Sequence, residues 1–267
     1  MLRNLCKTLI VLSIIFPLQA WSQDFDDVVM TVYPVAGNVS SIEGRGGTIG
    51  LFTGEDGVFL IDDQYAPLTD KIVAAIREIS DEPIRFLVNT HMHPDHTGVN
   101  ENFGRMGTMI FGHDNVRTQM AAAGYAEEPP LITFNDEMSF HINGERVHVF
   151  KVPAAHTNGD SFIKFMGSNV VHTGDVYRTT TYPYVDMGNG GSYLGSIEAL
   201  NLLLAVCDDD TKVIPGHGGI SNAQEVAAFR DMMVTIRDRV AAAIRDGMSL
   251  EEIQAAGLTA EYDERWA

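Results

Sequence analysis

The sequence predicts an α/β protein arranged as a four-layer αββα sandwich, with two mixed β-sheets packed face to face and helices on the outside. Three observations lead there. From Val28 onward, short β-rich runs alternate with helical patterns. The second half of the chain repeats the strand-then-helix grammar of the first, so each half can furnish one sheet and its cover. No low-complexity linker separates the halves, and residues 23–267 read as one domain.

Taken in order, Val28 to Tyr33, Gly47 to Thr53 and Gly57 to Asp62 are strands, the last two joined by the turn-like Gly54-Glu55-Asp56-Gly57. Pro67 to Ile79 is a helix with Pro67 in its first turn and Ile72, Ile76 and Ile79 on one face. Arg85 to Asn89 is a short buried strand that leads into His91-Met92-His93-Pro94-Asp95-His96. Pro94 forbids a mid-helix placement, so the hexapeptide belongs in a loop at a strand's C-terminal end. Next come a hairpin from His141 to Val152 around Asn143-Gly144 and a strand pair from Ser161 to Thr173 around Gly167-Ser168-Asn169. Ser192 to about Val206 is a helix, and Lys212 to Pro215 a strand running into Gly216-His217-Gly218-Gly219. The last long helix, about Asn222 to Arg245, sets Val226, Phe229, Met233, Ile236, Val240 and Ile244 at helical spacing as a core stripe. A shorter helix follows Ser249, with Glu252 completing a capping box.

Composition narrows the function. With 45% hydrophobic and 20% charged residues over 267 positions, the chain can bury a full core, which excludes a disordered or collagen-like protein. A formal charge of −18 repels nucleic acid and anionic lipid, leaving a small molecule as the expected partner. Residues 1–22 read as a secretory signal: Arg3 and Lys7 precede the apolar run Leu9 to Leu18, and Ala20-Trp21-Ser22 offers a cleavage site before Gln23. Its removal takes the charge to −20 and leaves Cys207 as the one cysteine, so no internal disulfide forms. The expected product is a soluble periplasmic or secreted protein with no membrane span; its oligomeric state is open.

The chemistry sits on histidines. Three of the nine fall within six positions together with an aspartate. Residues two apart in an extended loop point to the same side, so His91 and His93 can grip one metal ion while Asp95 and His96 turn to a neighbouring one. Imidazole and carboxylate without thiolate favour zinc, with iron or manganese as substitutes. His156, Asp175 and His217 each lie in a loop after or between strands, where the end of a sheet would present them to the same cleft. A sensible assembly sets His91, His93 and His156 on one Zn²⁺ and Asp95, His96 and His217 on another, with Asp175 bridging. Two zinc ions, two carboxylates and one hydroxide leave a net charge of +1, suited to an oxyanion. Asp62 and Asp63, after an apolar strand, either orient ligand histidines or cap a turn. His113, His141, His148 and His172 read as surface or satisfied core residues. Cys207 reads as a packing thiol and Asp208-Asp209-Asp210 as a solvated loop end.

His91-Met92-His93-Pro94-Asp95-His96-Thr97-Gly98, with His156, Asp175 and His217 following in order, resembles the metallo-β-lactamase superfamily over about Val28 to Ile220. The resemblance implies the αββα fold and a metal-activated water or hydroxide as nucleophile, with Asp95 orienting it and carrying a proton to the leaving group. It leaves the substrate open, because the family includes lactamases, lactonases, thioesterases, nucleases, phosphodiesterases and some oxidoreductases. Arg178, three residues after Asp175, is similar in position to the cation with which several of these lactamases hold the drug's carboxylate. Asn189 resembles their loop asparagine that faces the carbonyl oxygen. Against that stands Asp175, where the best-known lactamases of this pattern have a cysteine; an aspartate there looks closer to the lactonases and thioesterases. The leading expectation is an exported di-zinc hydrolase opening a β-lactam ring. The alternatives are a lactone or thioester hydrolase without lactamase activity and a non-catalytic periplasmic metal-binding accessory protein.

Overall fold

Ile49–Phe52 and Val58–Ile61 are apolar at every position, the pattern of strands covered on both faces. The computed structural model, which describes residues 25–124 and 128–267, shows what covers them. The expected signal segment, residues 1–22, lies outside the described residues.

The first sheet has seven strands in sequential order: β1 (Thr31–Ala36), β2 (Val39–Glu43), β3 (Ile49–Phe52), β4 (Val58–Ile61), β5 (Ile84–Asn89), β6 (Met109–His113) and β7 (Ile132–Phe134). Pairing is antiparallel up to β4 and parallel from β4 to β7. The second sheet comprises β8 (Glu137–Ile142), β9 (Glu145–Lys151), β10 (Ser161–Phe165), β11 (Val170–His172), β12 (Lys212–Ile214) and β13 (Ser221–Asn222), in spatial order β13-β12-β11-β10-β9-β8. Only β11 and β12 run parallel in it. The helices are α1 (Thr69–Arg77), α2 (Pro94–Thr97), α3 (Asn100–Arg105), α4 (Asp114–Ala123), α5 (Tyr193–Val206), α6 (Ala223–Arg245), α7 (Leu250–Ala255) and α8 (Asp263–Trp266).

Side-chain alternation sorts the layers. Phe52, Phe59, Ile61, Val88 and Phe111 of the first sheet face Val147, Val149, Ile163, Phe165 and Ile214 of the second. Their neighbours Leu51, Leu60 and Leu87 point the other way, onto Ile72 and Ile76 of α1 and Phe103 of α3. On the far side, Phe162, Val171 and Val213 meet Leu200 and Leu203 of α5 and Val226, Phe229 and Met233 of α6. The result is the four-layer αββα sandwich. Phe59, fully buried and edge-on to Phe140 at 4.9 Å between ring centroids, shows the density of the middle layer. Its replacement by Ala would cost about 3–5 kcal/mol.

Several boundaries differ from expectation for physical reasons. The helix expected from Pro67 is preceded by a separate 3₁₀ turn, Ala66–Leu68, that contains Pro67, and it runs as an α-helix only from Thr69 to Arg77. Ile79 therefore lies beyond the helix and is 50% exposed. In α6 the stripe is buried as far as Met233 and still packs against the core at Ile236, whereas Ile244 is 61% exposed. The hexapeptide is a loop only as far as His93; Pro94 then opens the single turn α2 from its first position, where a missing N–H costs nothing. The Asn143-Gly144 hairpin has positive φ at both residues, as its type requires, and the Ser249–Glu252 capping box is present.

The ends of β4, β5, β11 and β12 lie at one edge of the sandwich, together with the loop between β9 and β10. Main-chain bonds tie that edge across the two sheets: Thr48 N donates to Gly216 O at 2.7 Å and Ser161 N to Thr90 O at 3.1 Å.

Candidate metal centre

That edge collects every sequence-predicted ligand. The turn after β5 brings His91 and His93, and α2 brings Asp95 and His96. The β9–β10 loop brings His156, a 3₁₀ turn after β11 brings Asp175, and the turn after β12 brings His217. Their ligand atoms fall into groups that could each hold a metal ion: His91, His93 and His156 in one, Asp95, His96 and His217 in another. Asp175 reaches both, with Oδ1 3.1 Å from His96 Nε2 and 3.3 Å from His217 Nε2, and Oδ2 3.7 Å from His156 Nε2. Asp62, His91 and His96 form a third such group. Asp62 is instead engaged as an acceptor behind the two rings.

The surrounding hydrogen bonds fix which ring nitrogen faces inward. Thr90 Oγ1 donates to Asp62 Oδ2 at 2.8 Å, so at 3.0 Å it must accept from His91 Nδ1. His96 Nδ1 donates to Asp62 Oδ2 at 2.8 Å, His93 Nε2 to Asp186 Oδ2 at 2.8 Å, and His156 Nδ1 to the Tyr184 carbonyl at 2.8 Å. Each ring thus turns its remaining nitrogen toward the cluster, the arrangement of imidazoles oriented for metal binding. His93 Nδ1 and His156 Nε2 face one another at 2.8 Å with their other nitrogens committed as donors, a geometry that a shared cation satisfies. His91 Nε2 is buried and makes no hydrogen bond among the described residues, and buried His96 Nε2 and Asp175 Oδ1 face each other across 3.1 Å. Converging ring nitrogens and carboxylate oxygens of this chemistry fit divalent metal.

Electrostatics divide the two groups. Burial, reinforced by His96 and His156, holds His91 well below the ordinary histidine value, and burial also lowers His156. Burial opposes charge on His96 too, but Asp95, Asp175 and Asp62 outweigh it and raise that ring well above the ordinary value. His217 is raised against the effect of burial by Asp175 and Asp95. Burial favours a neutral Asp95, yet His96 and His217 bring its carboxyl down to about 2. Asp175 is held well below the usual range, burial again being overcome by His96 and His217.

Close approach is made possible by two glycines. A Cβ at Gly47 would meet the His96 ring, and one at Gly216 would meet Asp175 Oδ1. Asp62 has a φ of +60°, a left-handed conformation that Asp tolerates better than most residues. Asp63 accepts from Val99 N at 3.0 Å, a support at the start of α3.

Arg178 and Asn189 are placed beside this cluster but are already engaged. Arg178 Nη2 is 2.5 Å from Asp175 Oδ2 and Nη1 is 3.3 Å from Thr181 Oγ1. Asn189 Nδ2 donates to Asp186 Oδ2 at 2.7 Å. Of the other histidines, His172 bonds Thr48 O and Gly174 N, His113 caps α4, His148 pairs with Glu137, and His141 is exposed on β8. Sequence reasoning missed Asp186, 93 positions from the ring it holds, and the Tyr184 carbonyl, which no residue type advertises. Thr90, immediately before His91, could have been suspected as a ring partner.

A family model described as the metallo-beta-lactamase superfamily matches residues 42–217. The chain belongs to this superfamily. A curated relative, the linear primary-alkylsulfatase of Pseudomonas sp. (strain ATCC 19151), is 29% identical over 124 residues, 40% of this chain and 22% of that protein. The matched part thus spans about a fifth of the alkylsulfatase's length. Among solved structures, the DIM-1 metallo-beta-lactamase superposes with a TM-score of 0.68 at 17% identity, over 78% of this chain and 99% of its own. A metallo-beta-lactamase from Pontibacter korlensis gives 0.65 at 18% identity, over 76% and 98%. The inverting sec-alkylsulfatase Pisa1 from Pseudomonas sp. gives 0.71 at 14% identity, over 85% of this chain and 45% of its own. At these identities the superpositions show a shared fold. Members of the superfamily are mostly hydrolases.

Proposed function

We propose that the chain is an exported zinc hydrolase with two ions, one on His91, His93 and His156 and the other on Asp95, His96 and His217, with Asp175 between them. The observation that carries this reading is the convergence of two donor groups on Asp175, with four imidazoles already turned to present a ring nitrogen. Bound zinc would supply Lewis acidity for a substrate oxygen and a water acidified to a pKa of about 7.

The chain's own residues do the rest. Hydrolysis adds water across the scissile bond, so one proton must end on the leaving nitrogen, oxygen or sulfur. Asp95 is placed to carry it: its carboxyl is ionised, its side chain is 22% exposed, and its Oδ2 lies 3.3 Å from His217 Nε2. Arg178 pairs with Asp175 and keeps N–H groups for a substrate carboxylate. Asn189 acts through Asp186. The −18 charge disfavours polyanionic partners, and Arg3, Lys7 and the apolar run that follows support export.

For the substrate, the carbonyl of a small molecule fits this chemistry, and a β-lactam ring is the first class to test. The lactamases whose whole length this fold parallels support it, as does Arg178. A second reading, cleavage of an alkyl sulfate ester, is favoured by the alkylsulfatase relative. The experiment is a panel of β-lactam, lactone, thioester, phosphodiester and alkyl sulfate substrates offered to the zinc-loaded protein, with and without chelator. Chelator-sensitive turnover of the β-lactam is expected. Turnover confined to lactone, thioester or sulfate moves the assignment to that class, and none at all with both ions bound makes the chain an accessory metal-binding protein.

A further inference from the structure

The segment from Tyr182 to Ser192 wraps the loop that carries His156. Asp186 N donates to His156 O at 2.9 Å and Ser192 N to Ala155 O at 2.8 Å. Gly191 lies so close that a Cβ there would meet His156 O. Beyond Tyr182, which packs against the core, few apolar contacts hold the segment, since Tyr184 is 56% and Met187 82% exposed. Its attachment is therefore polar, and two of its bonds end on rings of the first donor group: Tyr184 O on His156 Nδ1 and Asp186 Oδ2 on His93 Nε2, each at 2.8 Å.

Asp186 is itself held in place. Its carboxylate accepts from Asn189 N at 3.1 Å and from Asn189 Nδ2 at 2.7 Å. The Asn189 carbonyl accepts in turn from Asn158 N at 3.0 Å and from Gln119 Nε2 at 2.8 Å. A carboxylate so fixed keeps the proton of His93 on Nε2 and its Nδ1 turned toward His156. We propose that Asp186 is a positioning residue for the first metal site, and that through it and the Tyr184 carbonyl the order of the 182–192 segment is coupled to occupancy of that site. The proposal rests on reading His91, His93 and His156 as a metal site. Linkage makes the coupling mutual: whatever the segment's order adds to metal affinity, the metal adds to the segment's order.

Two measurements test it on the full chain, neither using turnover. Zinc affinity is read by competition with a chromophoric chelator for the wild type, Asp186→Ala and Asp186→Asn, and amide hydrogen exchange of residues 184–192 is followed with and without zinc. Asp186→Ala is expected to weaken the first-site ion about ten- to a hundred-fold, leave the second-site affinity unchanged, and abolish most of the zinc-induced slowing of exchange seen in the wild type. Asp186→Asn, which keeps one acceptor oxygen, should recover part of both. A folded Asp186→Ala protein that binds the first ion with wild-type affinity, or a wild type whose 184–192 exchange ignores zinc, overturns the proposal. Failure of the underlying metal reading is distinguishable: there the wild type takes up no zinc, or His93→Ala binds it as tightly as the wild type.

Discussion

Asp62 Oδ2 accepts from His96 Nδ1 at 2.8 Å while also holding, through Thr90 Oγ1, the ring of His91. One buried carboxylate at the end of β4 thus orients a histidine in each donor group. Its Oδ1 is engaged as well, accepting from Thr90 N at 2.7 Å. Replacing Asp62 by Asn keeps the left-handed backbone but puts an N–H where an acceptor is needed; Ala also loses the backbone preference, at a cost of about 1–2 kcal/mol. Both variants should weaken both zinc ions about ten- to a hundred-fold, with Ala the less stable in denaturant titration of the metal-free protein. A loss confined to one ion would mean that Asp62 serves one group only.

Gly47 and Gly216 make the second donor group possible by leaving room for the His96 ring and for Asp175. Gly47→Ala and Gly216→Ala should each displace the second-site ion and retain the first, read as zinc per chain after dialysis. Two ions retained in both variants would show that the backbone yields more easily than the side chains.

The two groups should differ in acid. His91 and His156 are lowered and stand neutral in the metal-free protein at pH 7, so an ion enters without displacing their protons. His96 and His217 are raised above 6.5, so binding there must release protons at pH 7, and the release diminishes only as the pH rises through those raised values. Calorimetric titration in buffers of different ionisation heat should show little proton release from the first group and clear release from the second. As the pH falls, the second ion should be lost first. Equal release from both groups would contradict this.

Arg178, with Nη2 on Asp175, has N–H groups left for a substrate carboxylate. A carboxylate that stays unchanged through the reaction contributes equally to ground and transition states, so Arg178→Ala should chiefly raise KM for carboxylate-bearing substrates. A charge-assisted bond worth about 1.5–3 kcal/mol corresponds to roughly ten- to a hundred-fold in kcat/KM. Neutral lactones should be affected far less, and zinc content should be unchanged. Equal losses on both substrate types would show that Arg178 acts through Asp175 alone.

The convergence of these side chains was legible because metal chemistry demands rare residue types at short spacing: His91, His93, Asp95 and His96 stand out in the sequence, and His156, Asp175 and His217 stand at strand ends. The layers were legible from runs such as Val58–Ile61, apolar on both faces. What escaped was less periodic. β6 carries Gly112 inside it and β7 has only three residues, so neither shows a period, although His113-Asp114 could have marked the start of α4. The β1–β2 hairpin turns at Gly37-Asn38, a signal present in the text but outweighed by the run Val28 to Tyr33. Asp186 and the Tyr184 carbonyl escaped because a ring's outer partner needs only an acceptor in the right place, and most residues can supply one.

The most direct test is zinc titration of the metal-free protein at neutral pH, with hydrolysis and free zinc followed together, in parallel for the wild type, His217→Ala and His141→Ala. Two tightly bound equivalents are expected in the wild type and in His141→Ala, with full activity at the second. His217→Ala should keep one equivalent and lose most of the activity. Tight binding of a single equivalent by the wild type with zinc in excess, or equal losses in the two variants, would contradict a two-ion centre built on these residues.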